Sequence, residues 1–102
     1  MGTLAEIYFN YNQAIKQANA LDGVAKKLRT ASNSDMEGIL KTVNSAWKRD
    51  SAPQYIKKGQ KVKGDLLTTA GNLSNIASAI RTIAERVLQA ELEAWRIAHE
   101  RD

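Results

Sequence analysis

The chain has no cysteine, one proline and one histidine among its 102 residues. Without thiols it has no disulfide framework, no cysteine nucleophile and no cysteine-based metal site, and cysteine usage says nothing about its redox compartment. His99 stands three residues from the end, and a histidine-based zinc site needs ligands this sequence does not have. Long hydrophobic runs are also missing. No stretch approaches the ~20 apolar residues a membrane span requires. The first residues, MGTLAEIYFNYN, lack both a basic start and a continuous apolar centre. A secretory signal peptide is therefore not expected. The expected location is the cytoplasm, before any export by a signal-peptide-independent route. No nucleophile–base pairing and no glycine-rich phosphate loop is visible. Glu91 and Glu93 are two apart and do not share a helix face. The expectation is a non-enzyme, with no cofactor, no metal and no small-molecule substrate.

Charge is only mildly unbalanced. Fifteen basic residues face eleven acidic ones, for a formal charge of +4. Nucleic-acid binders concentrate Lys and Arg on one face. Here the densest stretches are Lys26-Lys27-Leu28-Arg29 and Lys57-Lys58 with Lys61 and Lys63. Both are short and mixed with other residues, and they read first as solvated helix faces. The alternative reading is a patch for nucleic acid or another anionic surface.

What the chain does contain is helical periodicity. One series runs Leu4, Ile7, Tyr11, Ala14, Ala18, Leu21, Ala25, Leu28, Ser32. A second runs Val62, Leu66, Thr69, Leu73, Ile76, Ile80, Ile83, Val87, Ala90, Ala94, Ile97. Alternating spacings of three and four keep each series on one helix face. Thr3 and Glu6 fit a capping box at the first start. Asp50-Ser51-Ala52-Pro53 fits a second start, where a proline is tolerated because its missing N–H has no helical partner. The chain should therefore turn at about residues 47–52, between helices over about 4–46 and 53–100. This predicts a single all-α domain over residues 1–102, an antiparallel helical hairpin. Its seams should face each other, with alanines of the first helix opposite the larger Leu66, Leu73, Ile76, Ile80, Ile83 and Val87 of the second.

Two features interrupt this pattern. After Ser32 the strict seam would require Asp35 and Thr42, yet the apolar residues stand at Met36, Ile39, Leu40, Val43 and Trp47. The phase slips by one residue, as at a stutter. The slip coincides with Ser34-Asp35-Met36-Glu37, itself a possible capping box, so the first helix either continues here, unbroken or merely bent, or breaks to give three helices. Gly59, Gly64 and Gly71 weaken the second helix by about 1 kcal/mol each relative to Ala. They indicate fraying, close packing or a hinge.

A two-helix hairpin has a thin core. The second helix also carries Leu67, Ala70, Ala77, Ala84, Leu88 and Trp95 beside its seam, and the first adds Tyr8, Ile15 and Val24. A stripe this wide suits a four-helix bundle, in which each helix meets two neighbours. The expected partner is an identical chain, a paralogous hairpin or a helical segment of a larger protein.

The turn reads Ala46-Trp47-Lys48-Arg49-Asp50-Ser51-Ala52-Pro53-Gln54-Tyr55. Trp47 and Tyr55 are placed to stack across the turn and close the hairpin's tip, and an exposed Trp there would serve as a docking anchor. This segment resembles the centre of the WXG family of secreted helical hairpins in bacterial type VII secretion, to which the early secreted antigenic target proteins belong. Trp47, the small Ala52 and the aromatic Tyr55, eight positions after the Trp, match that family in type and spacing. Arg49 occupies the position of the family's Gly. Many members or their partners end in a Tyr-x-x-x-Asp/Glu export signal. The tail here offers Trp95, with His99 four positions on and Glu100 one later.

The resemblance implies a type VII secretion protein acting by helix-on-helix binding. Its role would be that of a secreted substrate, a co-secreted partner or a targeting chaperone of a larger effector with a helical N-terminal domain. The divergent turn and tail fit the partner or chaperone role. The alternative is a general helical adaptor, or a weak binder of nucleic acid or anionic surfaces through its basic faces.

Overall fold

Thr3 opens the first helix as its N-cap: the Glu6 amide donates to its Oγ1 at 3.2 Å and the Ile7 amide to its carbonyl at 3.0 Å. In the return contact, the Thr3 hydroxyl donates to Glu6 Oε1 at 3.3 Å, so the capping box takes a variant form. The computed structural model describes residues 2–47 and 50–100. Helix α1 runs Leu4–Thr30, a π-helical segment covers Ala31–Met36, and α2 runs Glu37–Ala46. Helix α3 spans Ala52–Glu100 without interruption. The protein is an all-α helical hairpin, and no strand occurs among the described residues.

The phase slip is absorbed without a break. Thr30 and Glu37, which flank the π-helical segment, both keep right-handed helical dihedrals. A π turn closes i→i+5 bonds and so accommodates an additional residue. The buried line continues from Ser32 to Leu40 and Val43, one position later than the strict repeat. The possible cap at Ser34-Asp35 is not used as a helix start.

At the far end of α2, the Trp47 amide still bonds the Val43 carbonyl at 3.0 Å, while Trp47 itself is extended, with φ −91° and ψ 155°. Helix α3 begins on the Ser51 carbonyl, which accepts from the Tyr55 amide at 3.2 Å. Pro53 lies in that first turn, where its ring breaks no helical bond.

The chain's contacts divide into two units, Met1–Asp22 with Asn75–Asp102, and Gly23–Ser74. Each pairs antiparallel helical segments. In the first, Tyr11 meets Glu85 while Asn19 and Asp22 meet Arg81, so numbers rise along one helix as they fall along the other. In the second, Arg29 bonds Ser74 and Ser32 bonds Lys63. There the Gly59 backbone lies against the Leu40 side chain.

The buried face of α3 corrects the expected seam. Ala70, Ala77 and Ala84 are buried, with Ala77 at 0% exposure, whereas Ile76, Ile83 and Val87 remain 49%, 59% and 48% exposed. Leu66, Leu73 and Ile80 are intermediate. On the first helix and the π-helical segment that continues it, the buried line starts at Ile7 and then runs through small residues, Ala18, Ala25 and Ser32. Small residues therefore line both helices at seven-residue spacing, in place of small against large. An alanine is fully covered in a two-helix structure only where a neighbouring backbone comes close, and β-branched side chains at those positions would hold the helices apart. Ser32 fits this dry line because its hydroxyl donates to the Lys63 carbonyl at 3.1 Å.

Candidate helix-docking surface

In the first unit, one residue's shift around α3 separates two chemistries. Successive helical residues project about 100° apart. With Ala84 buried, Ile83 falls on one flank and Glu85 on the other. With Ala77 buried, Ile76 and Ser78 divide the same way.

The flank bearing Glu85 is polar and tied to α1. The Tyr11 hydroxyl donates to Glu85 Oε2 at 3.2 Å, and the Arg81 guanidinium donates to Asn19 Oδ1 at 2.8 Å and Asp22 Oδ2 at 2.5 Å. Partial desolvation, and then the adjacent Glu85 carboxylate, raise the Tyr11 pKa above the ordinary phenol value.

The opposite flank has no such ties among the described residues. Ile80, Ile83 and Val87 of α3 face Asn10, Tyr11 and Ala14 of α1 across an open groove of about 240 Å³ that Glu91 also lines. Its floor reaches the buried Ile7, Ala84 and Leu88. Ile76 and Ile97 extend the exposed apolar line along α3 at the same heptad phase. Ile76, Ile83 and Val87 thus lie outside the hairpin's own seam and form a surface beside it. The alanine line was the sequence signal for this arrangement. Two heptad series run along α3 one residue apart, and side-chain size alone favours burying the larger one.

The turn in the second unit behaves as the residue types suggest. Trp47 and Tyr55 pack with ring centroids 4.7 Å apart and planes tilted by 43°. Both remain about half exposed, at 47% and 43%. Ala52, the small residue between them in sequence, is buried. Arg49 lies outside the described residues. Near the end of α3, Trp95 and His99 stack with centroids 4.0 Å apart, and His99 Nδ1 lies 2.8 Å from the Trp95 carbonyl. Glu100 is drawn instead to Arg96 at 2.7 Å, and Arg96 also holds Glu93. Of the three candidate tail residues, the structure brings Trp95 and His99 together, whereas Glu100 pairs with Arg96.

Gly59 serves packing. A Cβ at this position would stand 2.5 Å from Leu40 Cδ2, whereas at Gly64 and Gly71 it would meet nothing within 4 Å. None of the described helices is long and apolar enough to cross a membrane. No family model, curated protein or solved structure matches this chain.

Proposed function

We propose that this chain is a non-enzymatic helix-binding protein of type VII secretion. In this reading it is a co-secreted partner or targeting chaperone that packs against the helical domain of a larger effector. The open apolar flank of the first unit carries the helix-binding part. Ile83 and Val87 stand half exposed beside a groove whose floor residues are buried, while the other flank is tied by Tyr11–Glu85 and Asp22–Arg81. A third helix laid in the groove covers those side chains and gives α1 and α3 a second neighbour each, the condition met in a four-helix bundle. The secretion part draws its support from Trp47, Ala52 and Tyr55 at the turn.

The test is solution mass by light scattering, for the chain alone and mixed with the N-terminal helical domain of a candidate effector from a neighbouring gene. The expected result is a complex of defined stoichiometry. Ile83→Asp and Val87→Asp should each weaken it by roughly 10- to 100-fold, as expected when an interface anchor is replaced by a charge. A chain that stays monomeric, binds no neighbouring helical product and is unaffected by either substitution would refute the reading.

A further inference from the structure

Charge is distributed unevenly between the two units. The unit Gly23–Ser74 holds ten basic residues against four acidic ones, a formal +6, whereas the remainder holds five against seven, a formal −2. Eight of those ten are lysines, and only Arg29 and Arg49 are arginines. Lys57, Lys58 and Lys61 stand at i, i+1 and i+4, all exposed, on the first turns of α3. With Gln54 they line one shallow concavity. Lys58 and Gln54 also line the adjoining one with Trp47 and Tyr55. On the other side of the aromatic pair, Trp47 and Tyr55 share a concavity with Ile39, itself 48% exposed, and Val43. Two acids share these surfaces: Asp50 lines the concavity of Lys58, Trp47 and Tyr55, and Asp35 lines that of Ile39, while Asp65 is exposed four residues after Lys61. Glu37 is occupied by Lys63.

From this arrangement we infer that the basic unit docks on an anionic lipid surface, with Trp47, Tyr55 and Ile39 at the bilayer interface and Lys57, Lys58 and Lys61 against the headgroups. This goes beyond helix binding and uses the other unit. Trp and Tyr have amphipathic rings that settle at the headgroup level. Lysines are strongly hydrated point charges on flexible stems that lay their methylenes along apolar surface. They suit a diffuse layer of lipid phosphates, each adding attraction near an anionic surface.

A nucleic acid fits less well. Trp47 and Tyr55 pack against each other with planes tilted by 43°, so they leave a base only their outer faces rather than a slot between two parallel rings. The forked arginines that read bases are scarce here. An acidic helix also fits less well, because the lysine concavity offers lysine stems and Gln54 where a helix needs apolar holes.

The experiment uses the full chain with Trp95→Phe, so that Trp47 is the only tryptophan. It is titrated with vesicles of phosphatidylglycerol in phosphatidylcholine and with vesicles of phosphatidylcholine alone. Flotation reads the bound fraction and Trp47 emission reads insertion. The expected result is binding to the anionic vesicles only, weakening as salt is raised, with a blue shift of Trp47. The triple substitution Lys57→Gln, Lys58→Gln, Lys61→Gln should weaken binding roughly 100-fold. Arg86→Gln in the other unit should leave it unchanged. Ile83→Asp, which tests the helix-docking groove, should also leave it unchanged, so the two readings fail separately. Circular dichroism confirms that each variant is helical. Equal partition into neutral vesicles, no binding, binding without a Trp47 shift, or tighter binding to duplex DNA at the same salt would each overturn the inference.

Discussion

Replacing glycines of α3 with alanine tests the fold where its geometry is most specific. In a helix interior, alanine is favoured over glycine by about 1 kcal/mol, partly because the unfolded chain loses freedom. At Gly64 and Gly71 the new methyl meets nothing within 4 Å, so each substitution should realise that gain. The two positions lie about 10 Å apart along the helix, and their effects should add to about 2 kcal/mol. At Gly59 the methyl would stand 2.5 Å from Cδ2 of Leu40 and 3.4 Å from its Cγ. Leu40 is 5% exposed and has little room to move. Overpacking of this kind costs about 1–3 kcal/mol, which offsets or exceeds the helical gain. Gly59→Ala should therefore be neutral to destabilising by about 2 kcal/mol. Urea unfolding followed by far-UV circular dichroism, at one fixed protein concentration, measures all three. The penalty should shrink in a Leu40→Ala background, giving a favourable coupling in a double-mutant cycle. If Gly59→Ala stabilises as much as Gly64→Ala, the close approach of Leu40 to Gly59 is wrong.

The buried alanine line leads to a second contrast: Ala77→Leu should destabilise the chain by about 1–3 kcal/mol, while Ile76→Ala, one residue away, should change it by less than about 1 kcal/mol in the same unfolding assay. The pH dependence of stability should fall on the acid side. Glu37 is held below its ordinary value of 4.5 by the hydrogen bond from Lys63 and then by that residue's charge, and Glu93 is lowered likewise by Arg96. A depressed carboxylate contributes stability that is fully present above the unfolded-state pKa and is lost as pH falls through the folded one. The urea midpoint should therefore decline below about pH 4.5, less steeply in Glu37→Gln, and an unchanged slope in that variant would count against the Lys63 pairing. Tyr55→Leu should remove the ring contact with Trp47, altering its near-UV signal and lowering stability by about 0.5–1.5 kcal/mol. An unchanged near-UV spectrum would show that the rings do not meet.

Much of this molecule was legible in its sequence because the signals were local. Thr3 with Glu6, and Ser51 with Pro53, set the helix starts through backbone groups within a few residues. The one-residue slip after Ser32 was visible as a change of phase, and Trp47 and Tyr55 were visible as a pair able to meet across a turn. Whether the slip meant a break or a wider turn was not legible. A π turn and a capped restart satisfy the same short segment, and the choice depends on what holds Ser32 and Leu40 in place from α3.

The sequence by itself determined that the chain is helical, where it turns and which residues could meet at the tip, because capping, proline geometry and periodicity act over single turns of helix. Only the tertiary structure decided which stripe of α3 faces inward. Alanine at positions 70, 77 and 84 and isoleucine or valine at 76, 83 and 87 repeat with related spacing, and composition favours burying the larger set. Close approach of two backbones favours the smaller one, since packing density at a helix crossing is set by the side chains between them. That choice leaves Ile76, Ile83 and Val87 exposed and creates the surface on which the proposed function rests.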